Sequence, residues 1–309
     1  MNETKPQNIG DFIRTQEALF TKDIRLFENW NWNFKEHVRK ASLYAHSQLL
    51  NGKDDFTPVK NITRPILLLQ ERATGFDIKD ITIYIDDSAK YFKSFLIKTF
   101  FKKWARENGI DTVIDNMVRS FVTYGGALLK NVNAVKPEVV ELKTVAFGDQ
   151  RDLLSHPFGI LHDFAPSELL EMQSAGWGGS TADMTLEELV ELSFKDKKSS
   201  DDVSGIPVYE VHGYMPEYFL DSEKTDTKYV QQLHIVSFYR KENGDKAYVT
   251  LFKGKEKKLP FKLIKRDPIA GRALGFGGAE ELEEDQVWTN YAEIREQQML
   301  DSAAITRFG

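Results

Sequence analysis

The chain has 309 residues with 41% hydrophobic, 28% charged and 12% aromatic side chains, enough apolar material for one large core or two ordinary domains and far from the make-up of disordered chains. A net charge of −6 gives no overall pull toward phosphate backbones or anionic lipid, so contact with nucleic acid must be local. Cysteine is absent, which removes disulfides, thiolate catalysis and thiolate metal sites together and suits a reducing compartment.

In chain order, Glu3, Lys5 and Asp11 precede any apolar run, so no secretory signal is expected. The longest stretch without a charge, Ala41 to Gly52, is half polar, so no membrane span is expected either. Residues 1–60 read as a helical arm. Leu19, Phe20, Ile24 and Phe27, then Phe34, Val38 and Leu43, have helical spacing, which predicts two helices with a break near Asn29 to Asn33. Asn51 to Asp55 with Pro58 is a loop, Pro65 to Arg72 a short helix, and Ile81 to Ile85 a strand of alternating β-branched residues.

Asp86-Asp87-Ser88 then opens a helix with Phe92, Leu96, Phe100 and Trp104 every four residues. That spacing predicts one aromatic stripe packed on the core, with Lys93, Lys98, Lys102, Lys103 and Arg106 as a solvated or docking face. Asn108-Gly109 ends this helix, Asp111 starts another, and Gly125-Gly126 stops it. From Ala127 the period is two, with strands around Leu128 to Val132 and Val139 to Phe147. Pro166-Ser167-Glu168 opens a helix, and Thr185-Leu186-Glu187-Glu188 is a capping box for the next. Residues 206–265 read as an antiparallel meander with strands near 207–214, 229–240, 246–252 and 258–265. Asn243-Gly244 suits a two-residue type I′ turn there. Residues 61–266 therefore form an α+β domain. The remaining stretch, 267–309, is a glycine-rich turn, Gly271 to Gly278, leading into a long helix from Ala279 past Asp301. The fold class is α+β, with helices, a β meander and the start of a long C-terminal helix. The chain stops at Arg307-Phe308-Gly309 as an incomplete reading frame would.

Few residues suggest chemistry. Asp86-Asp87 at a strand tip could hold Mg²⁺, but a helix begins at once, so capping explains them and no metal is expected. The glycine loop could cradle a phosphate, yet Glu280, Glu281, Glu283, Glu284 and Asp285 follow it and no Lys-Ser or Lys-Thr does. Six histidines show no HExxH pattern, and Gly-x-Ser-x-Gly is missing; Ser155-His156 and His162-Asp163 read as loops beside prolines. No catalytic residue and no cofactor are expected, so the chain reads as a structural protein.

Several phrases resemble portal proteins of tailed phages, the crAss-like group included. These are Tyr124-Gly125-Gly126-Ala127-Leu128-Leu129-Lys130 with Pro137-Glu138-Val139-Val140, then Phe164-Ala165-Pro166-Ser167-Glu168-Leu169-Leu170, and the run from Gly271 to Asn290. The likeness covers about residues 60–305. It departs where a more usual serine of the glycine turn is glycine or alanine, and where the chain ends inside the first stem helix. The resemblance implies a wing-like domain in a ring, usually a dodecamer, at a capsid vertex, in the virion and during assembly in the host cytoplasm. Double-stranded DNA would pass through it, with a terminase large subunit, a major capsid protein and a head or neck adaptor as partners. In that setting Val287, Trp288, Tyr291, Ile294 and Met299 are candidate subunit contacts, and Glu283, Glu284, Glu293 and Glu296 candidate channel-facing acids. The chain alone is expected to be monomeric or aggregation-prone and the complete protein to assemble. The competing expectations are a metal-dependent nuclease or nucleotide-using enzyme on Ile81 to Asp87, and a different ring-forming connector.

Overall fold

The computed structural model describes residues 6, 8–46, 60–81, 83, 91–132, 136–196, 205–221, 228–240 and 246–308. The first helix, α1 (Ile9–Phe20), is capped by Asn8, whose Oδ1 accepts from the Asp11 amide at 2.8 Å. The predicted break after it is a small antiparallel hairpin, β1 (Ile24–Phe27) with β2 (Trp30–Trp32). Ile24 and Phe27 thus lie on a strand, not a helix: over four residues, β-branched and aromatic side chains satisfy either period. Next come α2 (Phe34–Ala45), α3 (Thr63–Thr74), α4 (Tyr91–Glu107) and α5 (Ile110–Tyr124). Gly109 and Gly125 adopt φ of 61° and 79°, so the two glycines that bound α5 sit in the left-handed region, as helix punctuation requires.

The predicted strand Val139 to Phe147 is two strands. β3 (Gly126–Val132) pairs with β4 (Lys136–Val140), a 3₁₀ turn over Leu142–Thr144 follows, and β5 (Val145–Phe147) belongs to another sheet. β6 (Phe158–Phe164) occupies a stretch read as loop; Phe158 and Ile160 are fully buried, and burial outweighs the neighbouring proline signal. α6 (Pro166–Glu171) and α7 (Leu186–Asp196) start where their caps predict, the Thr185 and Glu188 side chains each bonding the other's amide. The long strands β7 (Ile206–Pro216), β8 (Tyr229–Arg240) and β9 (Lys246–Lys255) follow, then β10 (Phe261–Lys265), α8 (Gly278–Glu281) and α9 (Glu283–Phe308). The long helix thus begins as two pieces, parted at Leu282. Asn243-Gly244 and the predicted strand tip at Asp86-Asp87 lie outside the described residues.

The chain divides into two compact units, each built from two separated segments: 1–33 with 143–260, and 34–142 with 261–309. Three consecutive stretches are the simpler expectation from sequence order. The first unit holds an antiparallel sheet in the order β5-β6-β7-β8-β9. Strand alternation puts Ile206 and Val208 on one face, where they join Leu169, Leu186, Leu189, Ile235 and Leu251 in a core with α6 and α7. On the other face Tyr209 donates to Glu17 of α1 at 2.9 Å, and Gly10 of α1 sits directly against the Tyr248 ring.

The second unit packs helices around Leu67, Ala105, Ile110, Ile114, Val118, Val122 and Ala279, beside a three-stranded sheet in the order β10-β3-β4. β10 therefore leaves the meander and pairs with β3, Lys265 opposite Gly126. The α+β class holds, with the long helix at the C-terminal end.

Candidate functional site

The glycine-rich loop of the second unit is a backbone junction. The Gly125 carbonyl, at the end of α5, accepts from the amides of Arg266 and Gly275 at 2.9 and 3.0 Å. The Phe276 amide donates to the Arg266 carbonyl at 3.1 Å, and a Cβ at Gly275 would collide with that same oxygen. Backbones approach this closely only where a side chain is missing.

Arg272 fills the inside of the loop. Its guanidinium is buried, donates to the carbonyls of Leu274 and Gly275, and forms a two-point pair with Glu280 at 2.8 and 2.7 Å. The space where a phosphate would need donors already holds these partners, so the loop serves structure. His37 of α2 lies behind it, with Nε2 3.1 Å from the Tyr124 carbonyl and Nδ1 3.9 Å from Glu280. Burial holds the His37 pKa below the ordinary histidine value, against the pull of Glu280. Arg272 carries the one charge in the stretch Gly271 to Ala279, a cue that could have marked it as the loop's anchor.

Beyond the loop, Gln286 ties α9 to the rest of its unit. Its Oε1 accepts from the amides of Ile62 and Thr63 and from the Thr63 hydroxyl, and its Nε2 donates to the Lys60 carbonyl and Asn290. Glu283 pairs with Lys40 at 3.6 Å and Glu293 with Lys60 at 2.9 Å. Two of the four candidate channel acids are thus engaged on the side of α9 that faces its own unit. Glu284 and Glu296 are exposed. Of the candidate contacts, Trp288, Tyr291 and Met299 are 67%, 62% and 71% exposed, and Val287 and Ile294 are half-buried.

On α4 the aromatic stripe is not core. Phe92 and Phe100 are each 70% exposed, Phe95, Leu96 and Ile97 are exposed as well, and only Phe101, Trp104 and Ala105 reach the core. A four-residue period marks a common face; it does not say which face the tertiary structure covers. Lys93, Lys98, Lys102, Lys103 and Arg106 share this helix, and a groove of about 450 Å³ is lined by Thr99, Lys102, Lys103, Arg106 and Glu107.

The histidines of the first unit build a chain of contacts that sequence spacing hides. His162 Nε2 is 2.9 Å from Glu210 Oε2, His212 Nε2 is 2.9 Å from Glu210 Oε1, and His212 Nδ1 is 3.1 Å from Glu256. Burial opposes a charge on His212, yet the two carboxylates outweigh it and hold the pKa above the ordinary value. His234 is fully buried and uncharged; burial, helped by Lys253, lowers its pKa to about 4.

Ser155, His156 and Asp149 also meet, but the Ser155 hydroxyl and the Asp149 carboxylate lie 2.9 and 3.0 Å from the same ring atom, His156 Nδ1. A serine relay needs the base and the orienting acid on different nitrogens, so this trio is a loop clasp. Among the described residues no group of three or more acidic or histidine side chains is arranged to hold a metal ion, and no helix is long and apolar enough to cross a membrane. No family model matches the chain, and no curated protein matches it.

Proposed function

We propose that the chain is a structural subunit of a portal-like ring, the homo-oligomeric channel at a phage capsid vertex through which double-stranded DNA is packaged and ejected. The observation that carries this reading is α9, a 26-residue helix anchored through Gln286 near its start. Beyond that anchor Trp288, Tyr291 and Met299 are left largely exposed. A helix with such a face needs a partner, and a ring of identical subunits supplies one. The phrases shared with portal proteins, and an antiparallel sheet that precedes a glycine turn and a long helix, support the same reading. In this role the subunit hydrolyses nothing. Its partners are further copies of itself, a terminase large subunit, the major capsid protein and a head or neck adaptor, within the virion.

The test is sedimentation of the full product of the reading frame beside its Trp288→Ser/Tyr291→Ser variant. Loss of the oligomer with an unchanged far-ultraviolet spectrum is expected. An oligomer unaffected by both substitutions, or a monomeric wild type that cleaves nucleic acid with Mg²⁺, would overturn the reading in favour of another connector or an enzyme.

A further inference from the structure

Two exposed aromatic helices of the second unit carry opposite charge. Over Tyr91–Glu107, α4 has five cations, Lys93, Lys98, Lys102, Lys103 and Arg106, against the single acid Glu107. From Glu283 to Asp301, α9 has six acids, Glu283, Glu284, Asp285, Glu293, Glu296 and Asp301, against the single cation Arg295. The exposed stripe of α4, Phe92 to Phe100, runs roughly 12 Å, and that of α9, Trp288 to Met299, roughly 16 Å, so the first can lie within the span of the second.

We propose that α9 of one copy docks on α4 of the next, its acidic aromatic surface lying along the cationic aromatic one. This deepens, and rests on, the ring reading. Packing α9 against α9 would bring the exposed acids Glu284, Asp285, Glu296 and Asp301 of the two copies together, whereas α4 offers cations beside aromatic rings. A contact between two different surfaces of one chain is heterologous, and heterologous contacts close into rings when the rotation between copies permits. Glu284 and Glu296 are exposed on α9 and so reach the partner; Lys102 and Lys103 line the groove on α4.

Charge reversal in the full reading-frame product separates the outcomes. Lys102→Glu/Lys103→Glu and Glu284→Lys/Glu296→Lys should each weaken self-association about tenfold or more, as like charges now meet. An equimolar mixture of the two variants should recover the wild-type oligomer, because alternating copies restore complementary contacts all round. Circular dichroism controls for folding. An oligomer lost only in the α9 variant would place the acidic face of α9 against a cationic surface other than α4 and leave the ring reading standing. Two unaffected variants would overturn the contact alone, and a wild type that never self-associates would overturn both. An α4 variant that assembles normally but no longer binds duplex DNA or anionic vesicles would reassign α4 to that ligand.

Discussion

Arg272 and Glu280 face each other in a buried two-point ion pair that closes the glycine loop on the first turn of α8. Removing Glu280 strands the Arg272 charge away from water, and removing Arg272 leaves a half-buried Glu280 without its cation. Glu280→Leu should cost about 3–5 kcal/mol and Arg272→Leu somewhat less, read as a fall in the urea midpoint. The double replacement should cost less than the sum of the two, since neither charge is then left alone.

Gly275 and Gly109 should answer the same change to different degrees. A Cβ at Gly275 meets the Arg266 carbonyl, which a strand end holds in place, while Gly109 has φ 61° and open space around it. Gly109→Ala should cost about 1–2 kcal/mol, the penalty of the left-handed conformation. Gly275→Ala should cost clearly more, because backbone must move. Thermal melts of the two variants provide the comparison.

Gln286→Leu should leave the amides of Ile62 and Thr63 without their acceptor. Each buried donor left unsatisfied costs about 1–3 kcal/mol. Hydrogen exchange should report the loss at the start of α3 and along α9 before global unfolding.

The histidine contribution to stability should fall on both sides of about pH 6.5, through His212 on the alkaline side and through His234, with a share from His37, on the acid side. His212 has a raised pKa in the folded chain, so its contribution is complete below the unfolded value and lost as pH rises through the folded one. His234 has its pKa lowered to about 4, so below pH 6.5 the unfolded chain takes up a proton that the folded chain refuses. At pH 4 that difference is worth about 3 kcal/mol at most. His212→Gln should flatten the alkaline limb, and His234→Gln the acid limb, of denaturation midpoints plotted against pH.

Local rules made much of this fold legible. Thr185 with Glu188, Gly109 and Gly125 acted on neighbours a few residues away, and the helices and strands they bound lie where expected. What depended on distant partners was hidden. The stripe Phe92 to Trp104 has the period of a core face, yet Phe92, Leu96 and Phe100 are exposed and of the four Trp104 packs against the core. β10 has the alternation of a fourth meander strand, but pairing with β3, more than 130 residues away in sequence, put it in another sheet. The His162-Glu210-His212-Glu256 chain joins β6 and β7 to the residue just past β9, and no spacing in the sequence announces it. On α9 the apolar spacing did not separate the exposed Trp288, Tyr291 and Met299 from the half-buried Val287 and Ile294, nor could the engagement of Glu283 and Glu293 by Lys40 and Lys60 be read from it.

Negative-stain imaging of the full reading-frame product is the most direct test of ring assembly. Closed rings of uniform subunit number around a central channel are the predicted result. Uniform monomers that persist at concentrations where α9 should find a partner would contradict the portal reading.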